Sequence, residues 1–131
     1  MTILGLEFSS ERRGVALVRD GCVLAEKSQS EGRHTLAIRM IDAVLREAGV
    51  ARGELDAIAV GLGPGSYTGV RLSISVAQGW QLATGIQVAG ISSLSALAAG
   101  LELEERVVLA VEAQRGPAGR AELGDRDRRH R

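Results

Sequence analysis

Two short stretches hold the residues best suited to chemistry. The first is Glu7 with Ser9 and Ser10, an acid closing an apolar run and followed by two hydroxyls. An acidic residue at the end of a buried strand, above a hydroxyl-bearing turn, could hold a hydrated magnesium ion and a phosphate. The plainer reading leaves Glu7 facing water or pairing with Arg12 or Arg13. The second stretch is Gly61-Leu62-Gly63-Pro64-Gly65-Ser66-Tyr67-Thr68-Gly69-Val70-Arg71. Pro64 fixes φ near the value a turn wants at its second position, and Gly65 can take the positive φ that follows. Ser66 then serves as N-cap, its side chain accepting a bond from an early helical N–H. Such a loop aims backbone amides and the positive end of a helix dipole at whatever lies above the sheet. Either Gly63, Gly65 and Ser66 cradle an anion, or the loop sets the angle of a helix used for something else.

The common phosphate and nucleophile fingerprints fail here. Gly69 is followed by Val70, where a Walker loop needs Lys and then Ser or Thr. Ser66 stands where a dinucleotide fingerprint begun at Gly61 needs its third glycine, and Pro64 stands where a hydrolase elbow around Ser66 needs one. The chain's two histidines are His34 and His130, and neither has a second histidine three or four residues on to complete a helical metal pair. No Ser-His-Asp or Cys-His set can be assembled. The sequence therefore predicts no catalytic residue, no metal and no cofactor. The single cysteine, Cys22, excludes an intramolecular disulfide and fits a reducing compartment.

These residues need a scaffold, and 131 residues at 45% hydrophobic suffice for about one domain. Acidic and basic residues balance at 16 each, so no global field favours nucleic acid or an acidic partner. No basic-then-apolar leader precedes Leu4, so no secretory signal is expected. Residues 72–101 carry no charge, yet Gln78, Gln81, Gln87 and several serines interrupt them, and Gly85 divides them. That is a helix, a strand and a helix rather than a membrane span.

Strands are predicted over 2–8, 14–19 and 22–28, the last two joined by the hairpin signal Asp20-Gly21. A helix over 33–48 follows from the apolar stripe Leu36, Ala37, Met40, Ile41, Val44, Leu45 and Ala48, with Gly49 as its stop. Then come a strand over 56–62, a helix over 68–84, a strand over 87–91, a short helix to residue 99 and a strand over 106–111. The order β-β-β-α-β-α-β-α-β predicts an α/β domain with a mixed five-stranded sheet and helices on its faces. Its expected bounds are residues 1–104. Residues 105–115 would begin a second, incomplete domain, and 116–131, rich in arginine, acid and glycine, would be a disordered or aberrant tail. The 68–84 helix is unusual. Arg71, Ser75, Gln78 and Leu82 share one face, while Gly69, Ser73, Ala77 and Gly79 keep it thin enough for another helix to approach.

Several of these segments resemble one family. The opening Ile3-Leu4-Gly5-Leu6-Glu7-Phe8-Ser9-Ser10, the strand Asp56-Ala57-Ile58-Ala59-Val60-Gly61 and the loop Gly63 to Arg71 are similar to TsaB, also called YeaZ. Val76-Ala77-Gln78-Gly79 and Gly90-Ile91-Ser92-Ser93-Leu94 extend the likeness, which covers roughly residues 2–115. The resemblance implies an actin-like ATPase fold of the Hsp70 and sugar-kinase type. It also implies a part in making threonylcarbamoyladenosine beside the anticodon of tRNA. There TsaB is the cytoplasmic, non-catalytic partner that binds and activates the TsaD transferase, with the ATPase TsaE joining and tRNA met only indirectly. Family pairing through the first two helices, with TsaD or with a second copy, implies an interface at Leu36, Met40, Arg71, Ser75, Gln78, Gly79 and Leu82. Two departures are plain. Glu7 replaces the family's usual Asp, leaving Glu7, Ser9, Ser10, Gly63, Gly65 and Ser66 as a vestigial anion loop at most, and the expected second domain stops after its first strand. A truncated or frame-shifted product is therefore expected. The competing expectations are a nucleotide-dependent or glycoprotease-like enzyme of the same superfamily, and a defective product that folds in part.

Overall fold

A computed structural model describes residues 1–30, 37–93, 110–112 and 120–122. Three strands open the chain: β1 (Thr2–Glu7), β2 (Arg12–Arg19) and β3 (Cys22–Ser30). Asp20 and Gly21 both take positive φ, 50° and 80°, the geometry of a two-residue hairpin whose twist suits its strands. Helix α1 (Ala37–Ala48) ends at Gly49, φ 66°, and a 3-10 turn (Arg52–Glu54) leads into β4 (Ala57–Gly61). Helix α2 (Tyr67–Thr84) is capped by Ser66 and closed by left-handed Gly85, and β5 (Gln87–Ile91) follows.

The sheet order is β3-β2-β1-β4-β5. Strands β1, β2 and β3 pair antiparallel, whereas β1–β4 and β4–β5 are parallel, as strands joined through a crossover helix must be. The mixed five-stranded sheet expected from the sequence is present.

Alternation on β1 decides which face is buried. Leu4 lies opposite Leu17 and Ile58, and Leu6 opposite Val15 and Val60. These six side chains form the floor of one core, covered by Ala37, Met40, Ile41, Val44 and Leu45 of α1 and by Ala77 of α2. Both helices therefore lie on one face. On the other face Gly5, Ala16 and Ala59 are aligned across three strands. The apolar run 2–8 reads as a strand covered on both sides, but among the described residues its odd positions remain half-exposed.

At the N-terminal corner the Met1 amine donates to Asp20 Oδ1 at 2.6 Å, which raises the pKa of the amine and lowers that of the carboxyl. Strands β6 (Ala110–Glu112) and β7 (Arg120–Glu122) pair antiparallel in a separate two-stranded sheet. Strand β7 falls inside the segment expected as a tail; the rest of 113–131, His34 and most of the helix expected up to residue 99 lie outside the described residues. No described helix is long and apolar enough to cross a membrane.

Candidate functional site

The Gly-Pro-Gly loop carries the chain from the end of β4 onto α2, directly beside the turn between β1 and β2. Three of its amides are engaged within the chain. Leu62 N donates to Ile91 O at 2.8 Å, Gly63 N to Ser93 Oγ at 3.0 Å, and Ser66 N to Ser9 O at 2.6 Å. Gly69 N donates to Ser66 Oγ at 3.2 Å, the cap expected from the sequence. The turn differs from the expected type: the Gly63–Pro64 bond is cis, and Gly63 as well as Gly65 has positive φ, 86° and 154°.

The glycines serve a close approach to the hairpin. A Cβ at Gly65 would lie 1.9 Å from Ser9 O, and one at Gly69 would lie 1.9 Å from Phe8 O. No side chain fits at such a distance from backbone. These residues are glycine so that the start of α2 can touch the end of β1.

Glu7 is the polar centre of the same contact. Its Oε1 accepts from Ser9 N at 3.1 Å, from Ser9 Oγ, and from Ser93 Oγ at 2.9 Å. Its Oε2 lies over Gly61, where a Cβ would come within 2.0 Å of it. Arg12 instead donates to Ser28 Oγ at 3.0 Å, and the Arg13 guanidinium lies 5.6 Å from the centre of the Phe8 ring. Of the six loop residues singled out in the sequence, Glu7, Ser9, Gly63, Gly65 and Ser66 meet here. Ser10 does not join them; it is exposed and donates to Arg12 O at 2.9 Å. Sequence reasoning did not assign Ser93 to this cluster; its signals were its place just past a strand end and in the family-like stretch from Gly90 to Leu94. Among the described residues no three His, Cys, Asp or Glu side chains form a group able to hold a metal.

The outer side of the helices is the opposite case. On α2, Arg71, Ser75, Gln78 and Gly79 are exposed, Leu82 is 89% exposed and Tyr67 65% exposed. The small residues Gly69, Ser73 and Ala77, expected to thin the helix for a partner, are the buried ones and bring α2 down onto its own sheet. Met40, expected at a partner surface, is a core residue at 4% exposure. Leu36 lies outside the described residues. Ile38, which the stripe on α1 does not include, is 52% exposed instead. Its signal was an apolar residue off the stripe. Between α1 and α2 runs an open groove of about 930 Å³, lined by Ile38, Ile41, Ser75, Val76, Gly79 and Trp80 among others.

Comparison with known proteins gives one family. The model of "TsaD: tRNA N6-adenosine threonylcarbamoyltransferase" matches residues 23–122. The "tRNA threonylcarbamoyladenosine biosynthesis protein TsaB" of Escherichia coli is 36% identical over 120 residues, covering 88% of this chain and 52% of that protein. The structure of YeaZ from Pseudomonas aeruginosa superposes with a TM-score of 0.78 at 34% identity, covering 94% of this chain and 64% of that one. The activator of 2-hydroxyisocaproyl-CoA dehydratase from Clostridium difficile, at TM-score 0.55 and 21% identity, shares the fold alone; it covers 84% of this chain and 37% of that one. The chain spans about half the length of the curated TsaB relatives it matches.

Proposed function

The chain belongs to the TsaB/YeaZ family, with an actin-like ATPase fold, and we propose that it is a non-catalytic subunit in making threonylcarbamoyladenosine on tRNA. In this reading it binds a TsaD-like transferase through the outer faces of α1 and α2 and raises its turnover. A TsaE-like ATPase joins the assembly, tRNA is met through the transferase, and the whole acts in the cytoplasm. The single observation that carries the reading is the face formed by Arg71, Ser75, Gln78, Gly79 and Leu82, exposed on a helix with one charged side chain. A helix this short of charge on its exposed side suits burial against another protein. The loop beneath it supports the same reading, because Glu7 and Ser66 are engaged in seating α2.

Residues 1–104 would form the partner-binding domain and 105–115 the start of a second domain. The test is reconstitution: the chain is mixed with a TsaD-like transferase, a TsaE-like ATPase, threonylcarbamoyl donor and tRNA. Turnover should rise well above that of the mixture without the chain. Unchanged turnover in the presence of folded chain would reject the role.

A further inference from the structure

Three donors from two distant stretches of the chain converge on one oxygen beside the Gly-Pro-Gly loop. Glu7 Oε1 accepts from Ser9 N at 3.1 Å, from Ser9 Oγ, and from Ser93 Oγ at 2.9 Å. Ser93 Oγ also accepts from Gly63 N at 3.0 Å, so an amide of the loop reaches the carboxylate through that hydroxyl. Ser9 O accepts from Ser66 N at 2.6 Å, which ties the helix cap to the same turn. The other carboxylate oxygen, Oε2, lies over Gly61, where a Cβ would come within 2.0 Å of it. Two hydroxyls and an amide gathered around a negative charge are the donors that bind a free oxyanion. Here the anion is a side chain of the same chain.

We propose that Ser9 and Ser93 form an anion site whose occupant is the chain's own Glu7 carboxylate, and that a small free carboxylate enters it once Glu7 is cut back. The carboxylate joins the end of β1 to the Gly-Pro-Gly loop and to the exit of β5, and it does so without a ligand from outside. An actin-like ATPase fold implies a nucleotide and its metal, and the residues here do not fit that group. The acid at the end of β1 has one oxygen given to three donors and the other packed over Gly61. The serines that would meet a phosphate are turned onto that acid. Nothing in this assignment depends on the partner-binding role of α2.

Shortening glutamate to alanine removes the Cγ carbon and the carboxylate, which together have the size of acetate. Glu7→Ala is therefore titrated with sodium acetate, and with sodium chloride at equal ionic strength, while thermal unfolding is followed by circular dichroism. At about 0.1 M, acetate should raise the melting temperature of Glu7→Ala by about 5 °C over chloride, and the gain should saturate. The unaltered chain should gain nothing from acetate over chloride, and millimolar magnesium ATP should leave its melting temperature unmoved. Adding Ser93→Ala to Glu7→Ala should remove most of the acetate effect. If Glu7→Ala folds in neither salt, Glu7→Ser, whose hydroxyl gives the serines a partner, takes its place in the same titration. Four results would each overturn the proposal. They are no difference between acetate and chloride in the shortened variant, an equal gain in the unaltered chain, a full gain without Ser93, and saturable protection of the unaltered chain by magnesium ATP.

Discussion

The two ends of α2 and the sides between them obey different rules. At its N-terminal end, where the Gly-Pro-Gly loop meets β1, polar groups find one another inside the chain: Glu7 with Ser9 and Ser93, Ser66 with Ser9 and Gly69, Gly63 with Ser93. Along its outer side, Ser75, Gln78, Gly79 and Leu82 are exposed, and Ser75 and Gly79 line an open groove with Arg52. Both regions look like candidate sites in the sequence, since both are rich in small and polar residues. What separates them is satisfaction. A cluster whose donors and acceptors answer one another fixes geometry, and a surface whose groups go unanswered within the chain is free to be answered by something else.

The contrast can be broken most forcefully at Gly69. Replacing it with alanine puts a methyl against Phe8 O, so backbone must move; the loss should be about 3 kcal/mol or more, read by urea or thermal unfolding. Near-normal stability would mean that the loop does not touch the hairpin as closely as described. Glu7→Ala should cost about 2 kcal/mol by stranding Ser9 and Ser93, and the same unfolding curves check it. Ser66→Ala removes only the cap and should cost about 1 kcal/mol. On the outer side the signs change. Leu82→Glu should move stability by less than about 0.5 kcal/mol. Gly79→Glu meets nothing within 4 Å and replaces a poor helix former, so it should stabilise by about 0.5 kcal/mol. Both should abolish association with a TsaD-like partner in a pull-down. Retained association would move the contact off α2.

Much of the scaffold was legible because it is local. The strand over 87–91 has the bounds its apolar run suggested, Asp20-Gly21 makes the hairpin its backbone freedom allows, and Ser66 caps the helix it precedes. The roles of particular side chains were less legible because they depend on long-range neighbours. Glu7 can be read as a metal or phosphate ligand or as a strand-end acid, and nothing local announces Ser93, 86 residues away, as its hydrogen-bond partner. Gly69, Ser73 and Ala77 announce a thin side of α2, but helical periodicity cannot say whether that side meets a partner or the chain's own sheet. On α1 the stripe does separate Met40, 4% exposed, from Ile38, off the stripe and 52% exposed, but it cannot say whether Met40 meets a partner or the chain's own core.

The most direct test of the central claim, that α2's outer side rather than its launching loop carries the function, is a paired turnover measurement. Ser66→Ala and Gly79→Glu chains, each confirmed folded, are added to a TsaD-like transferase with its ATPase, donor and tRNA. The Ser66→Ala chain should accelerate the transferase as the unaltered chain does, and the more stable Gly79→Glu chain should not. Acceleration by Gly79→Glu, with loss in Ser66→Ala, would contradict the claim and return the function to the loop.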